Sequence, residues 1–443
     1  MTSRHRLFAC SARRVLVAAI VLVTMLGVAP AAAGANAADT GTMTGHRHTP
    51  HGDKSVDAGT VRFATFNASL NRSAAGELID NLSAPYDGAD PASSREARNR
   101  WQAANVAEVI QRLRPDVLLI NEFDYDPDGA ALAGFQDNYL AVSQNGAEPI
   151  EYPYFFLAES NTGIPSGVDL DNSGSVGGPN DAFGFGFYPG QFAMVVLSKY
   201  PIDHDNARTF QKFLWRDMPG NLIPFDYYSD EAVDIFRLSS KSHWDVPITV
   251  GGKGKARETI HFLVSHPTPP VFDGPEDRNG RRNNDEIRFW ADYVHPGRSR
   301  YIYDDKGRRG GLEASARFVI AGDQNADPFD GDSIANAIDQ LLRHPKIRNV
   351  IPTSAGAVEA SLLQGGANTG HIGDPAQDTA DFADGAPGNL RVDYVLPAKR
   401  LRVAGTGVFW PTLDDELSRL TGTLDGIGFP TSDHRLVWLD VIR

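Results

Sequence analysis

FVIAGDQN, residues Phe318 to Asn325, runs four apolar residues into Gly322, Asp323 and, two positions on, Asn325. The apolar run reads as a buried core strand, and such a strand delivers the polar side chains behind it to the edge of a sheet. The pattern recurs along the chain. Asn67 follows FATF, Glu122 follows DVLLIN, and His266 follows HFLVS. Asp433 and His434 stand just before a last apolar run, Leu436 to Val441. Asp393 lies inside the run LRVDYVL, Leu390 to Leu396. A carboxylate buried in a strand needs a partner. His434 is the natural one, and an Asp–His pair is a competent general acid/base. Glu122, Asp323, Asp433 and Asn67 offer the hard oxygen atoms that suit Mg²⁺, Mn²⁺ or Ca²⁺. Two histidines with no cysteine beside them argue against structural zinc.

The elements around these positions read as α/β. Val61 to Asn67 alternates with period two and is expected to be a strand. Residues 92–114 carry helical spacing (Trp101, Val106, Val109, Ile110, Leu113) and stop at Arg114-Pro115. Asp116–Asn121, Gln191–Ser198 and Thr259–Ser265 read as further strands, and 281–294 as a helix. Residues 160–190 are rich in Gly, Asp and Asn and are expected to be a long loop ordered by something it binds. No internal repeat or composition break divides 60–443, so one domain over those residues is the simplest organisation.

Of the 443 residues 41% are hydrophobic and 22% charged, which is the composition of a folded chain. One cysteine excludes an intrachain disulfide. Residues 1–14 are basic, Val15 to Ala29 is an apolar run too short to span a bilayer comfortably, and A-x-A patterns end at Ala33 or Ala37. Residues 1–38 are therefore expected to be a secretory signal, with Arg13-Arg14 admitting a twin-arginine route. Residues 39–59, with His46, His48 and His51, read as a flexible linker. The first 38 residues hold four arginines and no acid, so the rest carries 38 basic against 56 acidic groups, a charge of −18. Such a chain does not attract polyanions through its overall field.

In order along the chain, TFN, INE, the strand-end SH, GDQNAD, VDYV and SDH resemble the motifs of the endonuclease/exonuclease/phosphatase superfamily, over residues 60–443. The resemblance implies a four-layer α/β sandwich, two mostly antiparallel β-sheets packed face to face with helices outside. It also implies metal-dependent hydrolysis of phosphate esters. Carried over by motif, Glu122 holds the metal with Asn67 and Asp433. Asp323 positions or deprotonates the attacking water, and Asn325 orients the water or the phosphate. His434, held by Asp393, acts on the phosphate or the nucleophile, and His266 donates to a phosphoryl oxygen or the leaving group.

Two stretches depart from the family pattern. After His266 comes Pro267-Thr268-Pro269-Pro270 and then a cluster containing Arg278, Arg281, Arg282 and Asn284. This cluster, with Arg281 and Arg282 at its centre, is either a local phosphate clamp or a solvated helix start with Asp277, Asp285 and Glu286 as partners. Asp169, Asp171 and Ser173 open a D-x-D-x-S-G pattern like a calcium loop, but its twelfth position is Asn180, with Asp181 adjoining. The acidity favours a small or lipid phosphate ester over nucleic acid as substrate. A sphingomyelinase-like role would want an exposed apolar hairpin, for which Phe183, Phe185, Phe187 and Tyr188 are candidates. No protein partner is implied, and a monomer is expected.

Overall fold

The computed structural model describes residues 59–251, 257–423 and 427–443, all within one compact unit. The expected export signal at 1–38 and, apart from Gly59, the linker at 39–59 lie outside the described residues. Among the described residues thirteen strands occur in chain order: β1 Thr60–Leu70, β2 Val117–Phe123, β3 Tyr154–Phe156, β4 Met194–Ser198, β5 Arg208–Thr209, β6 His243–Val250 and β7 Glu258–Ser265. They continue with β8 Arg317–Asp323, β9 Ala380–Asp381, β10 Asn389–Leu390, β11 Asp393–Pro397, β12 Arg402–Val408 and β13 Val437–Ile442. One sheet has the order β12-β13-β1-β2-β4-β3, the other β11-β8-β7-β6-β5, and β9 and β10 form a small pair. Only β1–β2 and β7–β8 run parallel among these pairings.

Strand β1 shows why the sheets stack. Val61 and Phe63 on one face join Phe262, Val264 and Val319 of the second sheet in the largest buried cluster. The Phe63 and Phe262 rings lie 5.5 Å apart. Ala64 and Phe66 on the other face pack under Val106, Val109 and Ile110 of the helix Arg95–Leu113. That helix starts where Ser94 accepts the Ala97 N–H at 3.0 Å. It ends at Arg114, left-handed at φ 48°, just before Pro115. The helix Arg278–Tyr293 covers the second sheet, with Trp290 Nε1–H donating to Ser265 Oγ at 2.9 Å. The result is helix, sheet, sheet, helix, the four-layer α/β sandwich expected from the sequence.

Several local readings change. The alternation in β1 is not apolar against solvent, because both faces are covered and only Arg62 and Ser69 are partly exposed. Arg62 instead forks onto Asp440 of β13 at 2.7 and 2.8 Å. LRVDYVL splits between β10 and β11, because Val392 and Asp393 turn their N–H groups to Thr379 Oγ1, each at 3.0 Å. The strand expected at 191–198 begins only at Met194, and the helix expected at 281–294 begins at Arg278. Strand β6 has no apolar run to announce it and contains Pro247, yet it pairs with β7 over eight residues.

Phe63→Ala should remove the ring between the sheets and cost about 3–5 kcal/mol. Denaturant unfolding measures this, and a loss below about 1 kcal/mol would mean that the sheets do not rely on this contact.

Candidate active site

Pairing direction brings the polar strand ends together. Strands β1 and β2 run parallel, as do β7 and β8, so each pair releases its trailing residues at one end. Strand β11 runs antiparallel to β8 and begins where β8 ends, with Asp393 directly opposite Asp323. Strand β13 runs antiparallel to β1, which places Asp433 and His434 near Asn67. Gly322 allows the close approach beneath the site. Its φ is 144°, and a Cβ there would sit 2.0 Å from the Ser265 carbonyl.

Asp323 Oδ2 is the centre of the cluster. Asn67 Nδ2 donates to it at 3.2 Å and to Glu122 Oε1 at 3.1 Å. His266 Nε2 lies 3.4 Å from the same oxygen and His434 Nε2 3.6 Å. His434 Nδ1 meets Asp393 Oδ2 at 2.9 Å, and Thr379 Oγ1 donates to that oxygen at 2.9 Å. Asn325 donates its N–H to Asp323 Oδ1 at 2.8 Å and its side chain to the Pro267 carbonyl at 3.1 Å. Asp433 Oδ1 accepts from Ser432 Oγ at 3.3 Å. The backbone is left-handed at Glu122 (φ 60°), Asn325 (φ 50°) and Ser69 (φ 48°). Each such residue costs on the order of 1 kcal/mol, a strain concentrated where the strands turn into the site.

Burial and charge oppose each other here. Burial pushes the Glu122 carboxyl upward, and the neighbouring Asp433 charge adds to this. Asp323 is pushed up to about 7, by burial first; His434 pulls it down and Asp393 raises it further. Burial alone would lower His434, but Asp393 and Asp323 outweigh it and hold the imidazole well above its ordinary value. His266 goes the other way, lowered by burial and then by the Lys241 and His434 charges. The site thus pairs a cationic histidine with a neutral one and holds a carboxyl near neutrality, the range in which general acids and bases work best.

The family chemistry implies a divalent metal, and the donor set fits one. Glu122 and Asp433 bring two hard anionic side chains to one place, with the Asn67 amide beside Glu122. Asp323, Asp393 and His434 also bring ligand atoms within 4.8 Å of one another, but direct hydrogen bonding between His434 and Asp393 already accounts for that group.

Two further cations join the site: Lys241, which the sequence did not single out, and Arg278, from the cluster that follows His266. Lys241 is 7% exposed and lines the cleft, its ammonium lowered by burial against the charges of Glu286, Glu122 and Asp323. Its segment, SSKSHW, has no apolar run to mark it. Arg278 also lines the cleft, paired with Glu276. The clamp read from Arg281 and Arg282 is corrected. Arg281 is not among the cleft-lining residues, and Arg282, which does line the cleft, spends its guanidinium on the carbonyls of Leu238, Phe183 and Arg237 at 2.8, 2.5 and 3.0 Å.

Loop 169–181 forms part of the cleft wall through Leu170, Asp171 and Asn180. Asp169, Asp171 and Asp181 bring carboxylate oxygens within 4.8 Å of one another, so the third acid is Asp181. Ser173 serves both other acids through its N–H, at 3.0 Å each, and its hydroxyl donates to the Ser175 carbonyl. Asn180 donates to Asp171 Oδ2 at 3.0 Å.

Asp393→Asn should cut turnover by about 10²-fold or more, His434→Ala by as much, and the double variant little further, because the two act as a unit. Losses that multiply would mean independent action. The pair also sets a pH dependence of stability. A raised histidine pKa contributes stability fully present below about 6.5 and lost as pH rises through the folded value. The melting-temperature gap between parent and Asp393→Asn should therefore be wide at pH 6 and narrow at alkaline pH; a gap that widens with pH would refute the pairing.

The model of the Endonuclease/Exonuclease/phosphatase family matches residues 64–434. No curated protein matches the chain. Solved structures that resemble it include an endonuclease/exonuclease/phosphatase from Beutenbergia cavernae, at 14% identity and TM-score 0.44, covering 87% of this chain and 72% of that one. Sphingomyelinase C from Streptomyces griseocarneus gives 14% identity and TM-score 0.41, covering 87% of this chain and 99% of that one. TDP2 from Caenorhabditis elegans gives 14% and 0.40, covering 88% and 76%. With the family motifs spread over both sheets and gathered at one end of the sandwich, the chain belongs to the endonuclease/exonuclease/phosphatase family, whose members are hydrolases of phosphoesters.

Proposed function

We propose that the chain is a secreted, metal-dependent phosphoesterase that hydrolyses mono- or diesters of small or lipid alcohols by in-line attack of water. The observation that carries this reading is the convergence of Asn67, His266 and His434 on Asp323 at the floor of a cleft of about 730 Å³. A divalent ion, Mg²⁺ or else Mn²⁺ or Ca²⁺, held by Glu122 and Asp433 with Asn67, would supply charge stabilisation to the phosphoryl oxygens. Asp323 accepts the proton of the attacking water as its oxygen bonds to phosphorus, and the ester oxygen departs with the electron pair of the broken bond. Asn325 orients the water or the phosphate. The His434 cation, held by Asp393, faces the phosphoryl oxygens, and His266 donates to a phosphoryl oxygen or to the leaving group.

The walls favour an apolar alcohol. Leu170, Phe192, Tyr228, Phe236, Val271 and Leu390 line the cleft, together with the acids Asp327, Asp330 and Asp332. Phe185 and Phe187 are 50% and 68% exposed and pack edge to face at 5.5 Å. This supports a lipid-directed, sphingomyelinase-like reading ahead of an extracellular nuclease, which would need a basic face. Export rests on the signal-like pattern of residues 1–38.

Full-length processed protein assayed on bis-p-nitrophenyl phosphate, p-nitrophenyl phosphate, DNA and sphingomyelin tests the reading. Hydrolysis should vanish with EDTA, return with Mg²⁺, and fall at least about 10²-fold in Glu122→Gln. Turnover that survives both treatments would refute it.

We also propose that loop 169–181 holds a structural Ca²⁺. Calcium should then raise the melting temperature of the parent, and Asp171→Ala should abolish the rise, because an ion bound to the folded state stabilises it by mass action. A parent indifferent to calcium would end this claim and leave the catalytic one untouched.

A further inference from the structure

The helix Arg278–Tyr293 turns a polar face inward beneath the cleft, and Glu286 on that face is 0% exposed. One carboxylate oxygen accepts the Ser240 N–H at 2.6 Å and the other the Thr268 N–H at 2.6 Å. Ser240 immediately precedes Lys241, and Thr268 lies two residues past His266. The two segments also meet directly, where Ser240 Oγ donates to the His266 carbonyl at 3.2 Å. From the same helix position, the Glu286 carbonyl accepts from His243 Nε2 at 2.9 Å. Burial pushes His243 down to about 3, so it stays neutral and its Nδ1 accepts from Ser239 Oγ at 2.6 Å. Asn283, one turn earlier, donates to the Thr268 carbonyl at 2.8 Å and the Gln324 carbonyl at 2.9 Å, beside Asn325. Gly184 leaves room for the Ser240 carbonyl, which a Cβ there would meet at 1.8 Å.

Stability alone does not call for an acid at this position. Buried charges are often replaced by apolar side chains of similar volume without loss. What a carboxylate does, and an apolar group cannot, is accept two N–H groups from different loops at a fixed separation. We infer that Glu286 is a positioning residue for phosphoester hydrolysis: it sets the Lys241 loop against the His266 loop so that both side chains address one phosphoryl group. The inference rests on the function proposed above. Lys241 and His266 come from segments 25 residues apart in sequence, on either side of the β6–β7 hairpin, and Glu286 ties both to one helix.

Two variants separate geometry from charge. Glu286→Asp keeps the charge but is one methylene too short to reach both N–H groups. Glu286→Gln keeps the length but presents an amide nitrogen that cannot accept. With bis-p-nitrophenyl phosphate and Mg²⁺, each should lower kcat by about 10²-fold with KM changed less than about threefold, the cost of misplacing groups around a transition state. On a His266→Ala background, Glu286→Asp should cost less than about threefold, because relative placement no longer matters once one partner is gone. Amide exchange at Ser240 and Thr268 should be slow in the parent and faster in Glu286→Asp, which reads the clamp even if Glu286→Gln does not fold. Glu286→Asp with near-parental turnover, equal losses on both backgrounds, or unchanged exchange would each overturn the inference. A parent that hydrolyses no phosphoester but shows the exchange difference would instead refute the functional reading and retain the clamp.

Discussion

One oxygen atom, Asp323 Oδ2, ties the two sheets together at the end that carries the cleft. Asn67 reaches it from the first sheet, His266 and its own strand from the second, and His434 from the loop that leads back to the first. A buried carboxylate is costly unless donors surround it. The donors here come from elements far apart in the chain, so the acid is satisfied only when both sheets have formed in register. Fold and site share this constraint.

The same constraint explains the local strain. Parallel pairing of β1 with β2 and of β7 with β8 sends four chain segments out at one end, where they must turn at once to avoid overshooting the cluster. Left-handed backbone at Ser69, Glu122 and Asn325, and an open φ at Gly322, make three of those turns, out of β1, β2 and β8. Ordinary sheet geometry would point the Glu122 side chain by the alternation of the strand alone. The helix Arg278–Tyr293 then fixes the outer loops from below, with Arg282 on the 237–238 carbonyls, Glu286 on Ser240 and Thr268, and Asn283 on Thr268 and Gln324.

Much of this was legible in the sequence wherever an apolar run ended in a polar residue. Asn67, Glu122, His266 and Asp323 carry that signature, and Asp393 stood out as a charge inside a strand. The helix Arg95–Leu113 announced itself through spacing and the stop at Arg114-Pro115, while its Ser94 cap emerged only in the structure. Lys241 left no such trace, because the residues before it are polar and β6 contains Pro247. Arg282 and Glu286 looked like a solvated ion pair or a phosphate clamp, since sequence gives the charge of a helix residue but not which way its face turns. The third acid of loop 169–181, Asp181, was visible in the sequence only as the neighbour of position twelve. The pattern pointed to position twelve, and the 3₁₀ turn Pro179–Asp181 presents Asp181 instead of Asn180.

The charge balance of the site supplies the most direct test. Glu122, Asp433, Asp323 and Asp393 face His434 and Lys241, an arrangement that a divalent cation and a phosphate together would complete. A crystal structure of the protein with Mn²⁺ and inorganic phosphate, read by anomalous scattering, measures this. A manganese peak bonded to Glu122 and Asp433 is expected, with the phosphate in reach of His266, His434 and Lys241. Manganese absent from Glu122, with phosphate bound elsewhere, would contradict it.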